Sequence, residues 1–430
     1  MKHVSIEEIY KLFLEHPAVC TDTRSIKAGS LFFALKGGNF NANEFARQAL
    51  ESGCGYAVID DEKYYSDKCI LVKDVLETLQ KLANHHRKQF TIPVIGITGS
   101  NGKTTTKELT AAVLSKKYNT LFTQGNLNNH IGVPLTLLKL TKEHGIAVIE
   151  MGANHVGEID MLCKIAEPEF GIITNIGKAH LEGFGGYEGV IKAKGELYKF
   201  IKANNGKLFV NEDDDLLMKL SAGMNRLTYG TNLMSHIKGN LDRHSFLAKG
   251  TLTINGENVE VSSQLAGVYN FHNILASACI GTNFGVSAEQ IKKAIEEYIP
   301  SNNRSQIVKK GSNTIWVDAY NANPSSMKTA IENFGELHTT GKILILGDMF
   351  ELGHESHEEH QAIASLIDKH DKWDGVYLIG KEFSNVKSTA NLFTDLDEFM
   401  KWFSENPLSN ATILLKGSRG MQMEKILEKI

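Results

Sequence analysis

Short apolar runs rich in β-branched residues recur along the chain, at Ile92–Thr98, Ile146–Glu150, Gly171–Asn175, Leu208–Asn211, Thr314–Asp318, Ile343–Gly347, Val376–Gly380 and Thr412–Lys416. Several end in a glycine or polar turn and give way to a helical period, the pattern of βαβ units that build a parallel sheet. Between Lys238 and Leu265 the pattern switches to short alternating stretches, and Asn255-Gly256 inside TLTINGENVEVSSQ predicts an antiparallel hairpin. The opening stretch MKHVSIEEIYKLFLEHP carries Glu7, Glu8 and Glu15 within its apolar pattern, so it predicts an amphipathic helix rather than a secretory signal. The first 90 residues lack the glycine-ended strand series.

At 430 residues the chain is too long for one core. Breaks at Thr91-Ile92-Pro93 and Pro300-Ser301-Asn302-Asn303 divide it into residues 1–91, 92–300 and 301–430. A composition of 42% hydrophobic and 22% charged residues excludes a disordered or fibrous protein. Net charge is −4 without a long basic run, so no nucleic-acid or membrane-surface partner is expected, and no apolar run approaches the length of a membrane span. Five scattered cysteines without a C-x-x-C pair point to a reduced, cytoplasmic setting.

The strongest chemical signal is VIGITGSNGKTTTKELTAAVL, Val94–Leu114, where a strand enters a glycine loop and a helix begins near Lys103. Gly99, Ser100, Asn101, Gly102, Lys103, Thr104 and Thr105 form a candidate phosphate cradle. Its glycines let backbone N–H groups approach the phosphates, the helix N-terminus adds positive charge, Lys103 reaches the β and γ phosphates, and the Thr104 hydroxyl binds Mg²⁺. The match to G-x-x-x-x-G-K-[ST] is imperfect, because Ile97 stands at the first glycine position. Such a loop indicates ATP or GTP without naming a reaction.

The T-G-S-N-G-K-T-T form of the loop resembles that of the Mur ligase family, ATP-dependent amide-forming enzymes. The segments Gly125–Leu138, Ile149–Asp160, Thr174–Gly185, Lys192–Tyr198, Asp318–Met327, Leu346–Gly353 and Lys416–Met421 extend the resemblance over almost the whole chain. It implies an α/β fold in three domains: a smaller N-terminal α/β domain for the UDP end of the substrate, a central phosphate-loop ATPase domain with a mostly parallel sheet, and a C-terminal Rossmann-like domain that closes over ATP and binds D-Ala-D-Ala. The implied reaction joins D-Ala-D-Ala to UDP-N-acetylmuramoyl-tripeptide through an acyl phosphate, in peptidoglycan precursor synthesis. ATP and Mg²⁺ are the implied cofactors, and a monomer is expected.

The resemblance also assigns residues. Glu150 and His180 would hold a second Mg²⁺, Lys194 in KAKGEL falls where many members carry a carbamylated lysine, and Arg304 would reach the γ-phosphate. Asn270 and Asn273 in GVYNFHNILAS match adenine-contacting positions, with Tyr269 in place of a frequent histidine, and Asp318 would bind the ribose. Asn126, Asn128 and Asn129 would meet the muramoyl peptide, and Asn321 and Asn323 the dipeptide or substrate peptide. Thr23, Arg24 and backbone around Ala34–Gly37 match the UDP segment, although Asn41-Ala42-Asn43 departs from the family's Asp-Gly-His. Read singly, Glu150 is equally a strand-end acid, His180 a satisfied loop histidine, Lys194 an exposed helical lysine, Arg24 and Arg304 surface charges, and the asparagines helix caps.

His354, His357 and His360 are spaced by three rather than as H-E-x-x-H, and with Glu355, Glu358 and Glu359 they predict a solvated helix face rather than a zinc site. The competing readings are a folylpolyglutamate synthase-like ligase, which lacks the asparagine-rich segments, and a nucleotide-switched binding protein that makes no amide.

Overall fold

The computed structural model describes residues 4–301, 303–370 and 372–430. Asn302 of the second break and the first three residues of the opening stretch lie outside the described residues. The apolar runs build three sheets, each with helices packed on it.

In the N-terminal unit the helix Ile6–Glu15 starts at a capping box, Ser5 with Glu8, and buries Ile9 and Phe13. It packs on the helix Val75–Arg87. The sheet beneath runs parallel in the order Val19–Cys20, Leu31–Phe33, Tyr56–Ile59, Cys69–Leu71. Its strands are two to four residues long, too short to give a periodic signal, which is why the glycine-ended pattern is missing there. Asn43 is fully buried and ties this unit together, accepting from the Asp60 N–H and donating to Asn41 and Asp60.

The central sheet has nine strands, in the order Thr120–Phe122, Ile146–Glu150, Val94–Thr98, Phe170–Ile173, Lys207–Asn211, Arg226–Gly230, Ile237–Leu241, Leu247–Ile254, Glu257–Ala266. All pairs are parallel up to Ile237–Leu241, and the last two strands form the antiparallel excursion. Its turn is Asn255-Gly256, both at positive φ, as the tight hairpin requires. Every residue of Val94–Thr98 and Ile146–Glu150 is buried, which is why these segments read as continuous apolar runs. Because Val94–Thr98 lies between Ile146–Glu150 and Phe170–Ile173, the chain leaves it on one side and returns on the other. That reversal opens a crevice beyond the carboxyl ends of all three strands, the usual place for a ligand in such a sheet.

The C-terminal sheet runs Gln306–Lys310, Asn313–Asp318, Thr412–Lys416, Lys342–Gly347, Gly375–Ile379, Asn391–Phe393, parallel except for its first pair. The expected solvated face holds at His354, His357 and Glu358, which are exposed, and is corrected at Glu359 and His360. In the helix Ser356–Asp368 both Glu359 and His360 are buried. Nε2 of His360 accepts from the Met349 N–H at 2.9 Å, while Nδ1 lies 2.7 Å from the Ser356 carbonyl oxygen, so the ring braces the loop after Lys342–Gly347.

Candidate active site

One cavity of about 820 Å³ lies between the central and C-terminal units. Ser100 to Thr105, Glu150, His180, Asn270, Asn273, Arg304, Asp318, Asn321, Asn323 and Asn126, Asn128 and Asn129 all line it. Gly99 and Lys194 are not among its lining residues, nor are Thr23 and Arg24. Thr23 and Arg24 sit on a turn of the N-terminal unit, where Asp22 caps the turn and holds the exposed Arg24 guanidinium.

The phosphate loop follows the strand Val94–Thr98 and hands over to the helix Lys103–Leu114 at Gly102. Gly102 has φ +77°, and a Cβ there would lie 2.8 Å from the Asn273 side chain. Gly99 is tighter, since a Cβ would meet the Thr174 hydroxyl at 2.0 Å. Neither position tolerates a side chain. The loop is braced from the neighbouring strand: the Ser100 and Asn101 N–H groups donate to the Asn175 carbonyl and side chain, and Thr174 donates to the Asn101 carbonyl. The Lys103 ammonium folds back to donate to the Gly99 and Ser100 carbonyls at 2.7 and 3.0 Å. Burial lowers it to about 8, an environment that favours an anion beside it.

Glu150 ends its strand at the floor of the crevice. Its Oε1 accepts from the Thr104 hydroxyl at 3.2 Å and from Asn128 Nδ2 at 2.8 Å. Its Oε2 is buried and accepts no hydrogen bond among the described residues, with Lys107 Nζ 3.9 Å away. A buried, unpartnered carboxylate oxygen beside a threonine hydroxyl fits a hard divalent cation. Lys107, wholly buried one turn along the loop helix, is a member of this group that motif reading passed over, although it stands inside TTTK.

Lys194 lies in the helix Tyr187–Ala203 and is buried, so it is not an exposed helical lysine. Burial, reinforced by Lys103, lowers its amine to about 7. Its Nζ lies 3.4 Å from the Ala153 carbonyl oxygen and faces the Phe184 ring. His180 precedes a short helical turn with φ 52°. Its Nδ1 pairs with Glu351 of the C-terminal unit, and that contact holds the Glu351 carboxyl below its usual range.

Asn270 and Asn273 are buried at the start of the helix Asn270–Asn283. Asn270 donates to the Ala266 carbonyl and Ser305, and Asn273 accepts from Thr106 on the loop helix. The Tyr269 hydroxyl bonds to Ser305, carrying this corner toward the second unit. There the Arg304 guanidinium stacks over Tyr320, 3.4 Å from the ring centroid, and Asp318 pairs with Lys416. Asn323 caps the helix Pro324–Gly335 and donates to Asn101 Oδ1 at 2.7 Å, joining the C-terminal unit to the phosphate loop. The Asn129 side-chain oxygen accepts from the Ile131 and Gly132 N–H groups at the start of the helix Gly132–Leu137. Lys178 donates its N–H to Ser325 and pairs through its ammonium with Glu359.

Residues 97–281 match the Mur ligase middle domain, and residues 303–419 match the Mur ligase, glutamate ligase domain. The UDP-N-acetylmuramoyl-tripeptide–D-alanyl-D-alanine ligase of Bacillus subtilis (strain 168) is 36% identical over 428 residues, covering 96% of this chain and 92% of that one. The enzyme of the same name from Escherichia coli (strain K12) is 34% identical, covering 96% and 93%. A crystal structure of MurF from Acinetobacter baumannii superposes with a TM-score of 0.86 at 32% identity, covering 96% and 92%. That of the Thermotoga maritima MurF ligase in complex with ADP gives 0.85 at 29% identity, covering 96% of each chain.

Proposed function

The chain belongs to the Mur ligase family, and on that premise we propose how its cavity carries out ATP-dependent addition of D-alanyl-D-alanine to UDP-N-acetylmuramoyl-tripeptide. The reaction yields UDP-N-acetylmuramoyl-pentapeptide, ADP and phosphate for peptidoglycan precursor synthesis. The observation that carries the reading is the convergence of the phosphate loop, Glu150, His180 and Arg304 on one cavity, together with relatives of that activity matched along nearly their full length.

Residues 92–300 bind ATP, residues 301–430 close over it and take the dipeptide, and residues 1–91 hold the UDP end through Thr23, Arg24 and backbone near Ala34–Gly37. The backbone of Gly99 to Thr105 wraps the phosphates, and Lys103 exchanges its two carbonyl partners for phosphate oxygens. Asn270 and Asn273 face the adenine, and Asp318 the ribose. An oxygen of the tripeptide's terminal carboxylate attacks the γ-phosphorus, the bond to the β-γ bridging oxygen breaks, and ADP leaves with that electron pair. The amine of D-Ala-D-Ala then attacks the acyl phosphate carbonyl, an amine proton is lost, and phosphate departs as the amide forms.

The first step brings two anions together, so its cost is electrostatic. Arg304 and Lys103 supply fixed positive charge at the γ-phosphate. Thr104 would hold one Mg²⁺ and Glu150, His180 and carbamylated Lys194 a second, which would supply neutralising charge to the reacting anions. An amine at about 7 is substantially neutral at physiological pH, and the neutral amine is the form that takes up CO₂. Carbamylation turns that buried group into an anion suited to a metal site. Asn126, Asn128 and Asn129 line the muramoyl-peptide side, and Asn321 and Asn323 the dipeptide side.

The test is ADP release with ATP and Mg²⁺, given UDP-muramoyl-tripeptide carrying lysine or diaminopimelate, with and without D-Ala-D-Ala. Product mass should rise by one dipeptide unit, and turnover should need both acceptor and amine. Turnover only with a folate and glutamate would move the chain to the folylpolyglutamate synthase reading. ATP hydrolysis independent of both substrates would support the nucleotide switch.

A further inference from the structure

Two residues in left-handed backbone meet where the C-terminal unit docks on the central one: His180 at φ 52° and Glu351 at φ 63°. Neither is a glycine, so each conformation costs free energy that the surroundings must offset. The Glu351 carboxylate pairs with Nδ1 of His180, and the Glu351 carbonyl accepts from the Glu182 N–H at 3.3 Å. Gly353, two residues on, has its α-carbon so close to Glu182 that an added Cβ would lie 3.2 Å from that side chain. The loop after Lys342–Gly347 is thus fastened to the His180 turn by side chain, main chain and packing together.

The loop is also stiff on its own side. His360 accepts from the Met349 N–H, the Asp348 carboxylate accepts from the Glu382 and Phe383 N–H groups at 3.0 Å, and Phe350 N–H donates to Ser418. Glu351 therefore projects from a braced segment onto one nitrogen of an imidazole that lines the cavity. The Glu351 ion pair is the one polar contact of Nδ1, and Nε2 makes no hydrogen bond among the described residues.

We propose that Glu351 is the positioning residue for His180: its carboxylate accepts the Nδ1–H and leaves Nε2 with the free lone pair. Because Glu351 belongs to the C-terminal unit, the histidine is set for a divalent cation only when that unit is docked. A carboxylate on the far nitrogen of a metal-binding histidine fixes tautomer and ring orientation, and its loss typically weakens metal binding about 10–100-fold. Domain docking and metal-ligand geometry are then one event. This assignment rests on the reading of His180 as a Mg²⁺ ligand given above.

The test is direct Mn²⁺ binding to the full chain, followed by electron paramagnetic resonance, with a non-hydrolysable ATP analogue and UDP-muramoyl-tripeptide present. Two bound ions per wild-type chain are expected. Glu351→Ala should weaken one of them by about 10–100-fold while leaving the other and the melting temperature in place. Glu351→Gln should restore most of the loss, since an amide oxygen accepts the same N–H. Glu359→Gln, which alters the Lys178 pair in the same interface without touching His180, should leave both ions bound as in the wild type.

A single Mn²⁺ in the wild type would overturn the reading of His180 itself, and this assignment with it. Two ions in the wild type and unchanged affinities in Glu351→Ala would overturn the positioning role alone. Tighter binding in Glu351→Ala would make Glu351 a competitor for the ring. An equal loss in Glu359→Gln would show that docking in general, not the contact to His180, governs the ion.

Discussion

In the central unit Lys103, Thr104, Glu150 and Asn128 are held by one another and by their own backbone. The residues that the C-terminal unit brings to the same cavity meet the central unit through contacts that cross the interface: Asn323 to Asn101, Ser325 and Glu359 to Lys178, Glu351 to His180. The first wall exists as soon as one sheet folds, because the strand reversal beside Val94–Thr98 creates it. The second is complete only after two units dock. The phosphates are therefore cradled by one unit, whereas Arg304 and Asp318 reach the nucleotide, and water is kept from the reacting groups, only when both are docked.

The sharpest way to break the first wall is Lys103→Ala. Removing one fixed charge at a developing anion should lower kcat for ADP release by about 100–1000-fold, and a loss below threefold would contradict the role assigned to it. Lys194→Ala follows, with a loss of about 10–100-fold that acetate or another short carboxylate partly reverses. In the unsubstituted protein, ¹³C-labelled bicarbonate should give a carbamate signal that grows as pH rises through about 7, since deprotonation frees the amine. Full activity of the alanine variant, or no signal at any pH, would remove Lys194 from the site.

Across the interface, Asn323→Ala removes both a helix cap and the link to Asn101. It should cost about 1 kcal/mol of stability in a melting experiment and raise the KM for ATP by a few fold. A change in stability without a change in KM would leave Asn323 a cap and nothing more. The smallest effect is expected at Arg24, exposed and remote from the cavity. Arg24→Ala should raise the KM for the UDP-linked substrate while kcat and melting temperature stay as they are, and an unchanged KM would return Arg24 to a surface charge.

The central and C-terminal strands were legible because buried parallel strands must be continuously apolar, so Ile146–Glu150 and Thr412–Lys416 stand out without any partner information. The phosphate loop was legible because its glycines answer a steric demand at Gly99 and Gly102 that no other residue meets. The N-terminal sheet was not legible, because strands of two to four residues carry no period. His360 and Glu359 misled for a different reason. Helical spacing places them with acids and histidines, but only tertiary packing turns that face onto the Met349 loop and Lys178. Lys107 and Glu351 stand within the segments Val94–Leu114 and Leu346–Gly353, yet their partners, Glu150 and His180, lie 43 and 171 positions away, a pairing that spacing does not encode.

The measurement that bears most directly on the central claim, that a phosphoryl group passes to the tripeptide carboxylate between these two walls, is an isotope transfer. UDP-muramoyl-tripeptide labelled with ¹⁸O in its terminal carboxylate is converted with ATP and D-Ala-D-Ala, and the released inorganic phosphate is analysed by mass. One ¹⁸O per phosphate, carried over from the carboxylate, is expected. Unlabelled phosphate alongside full conversion to the pentapeptide would contradict it.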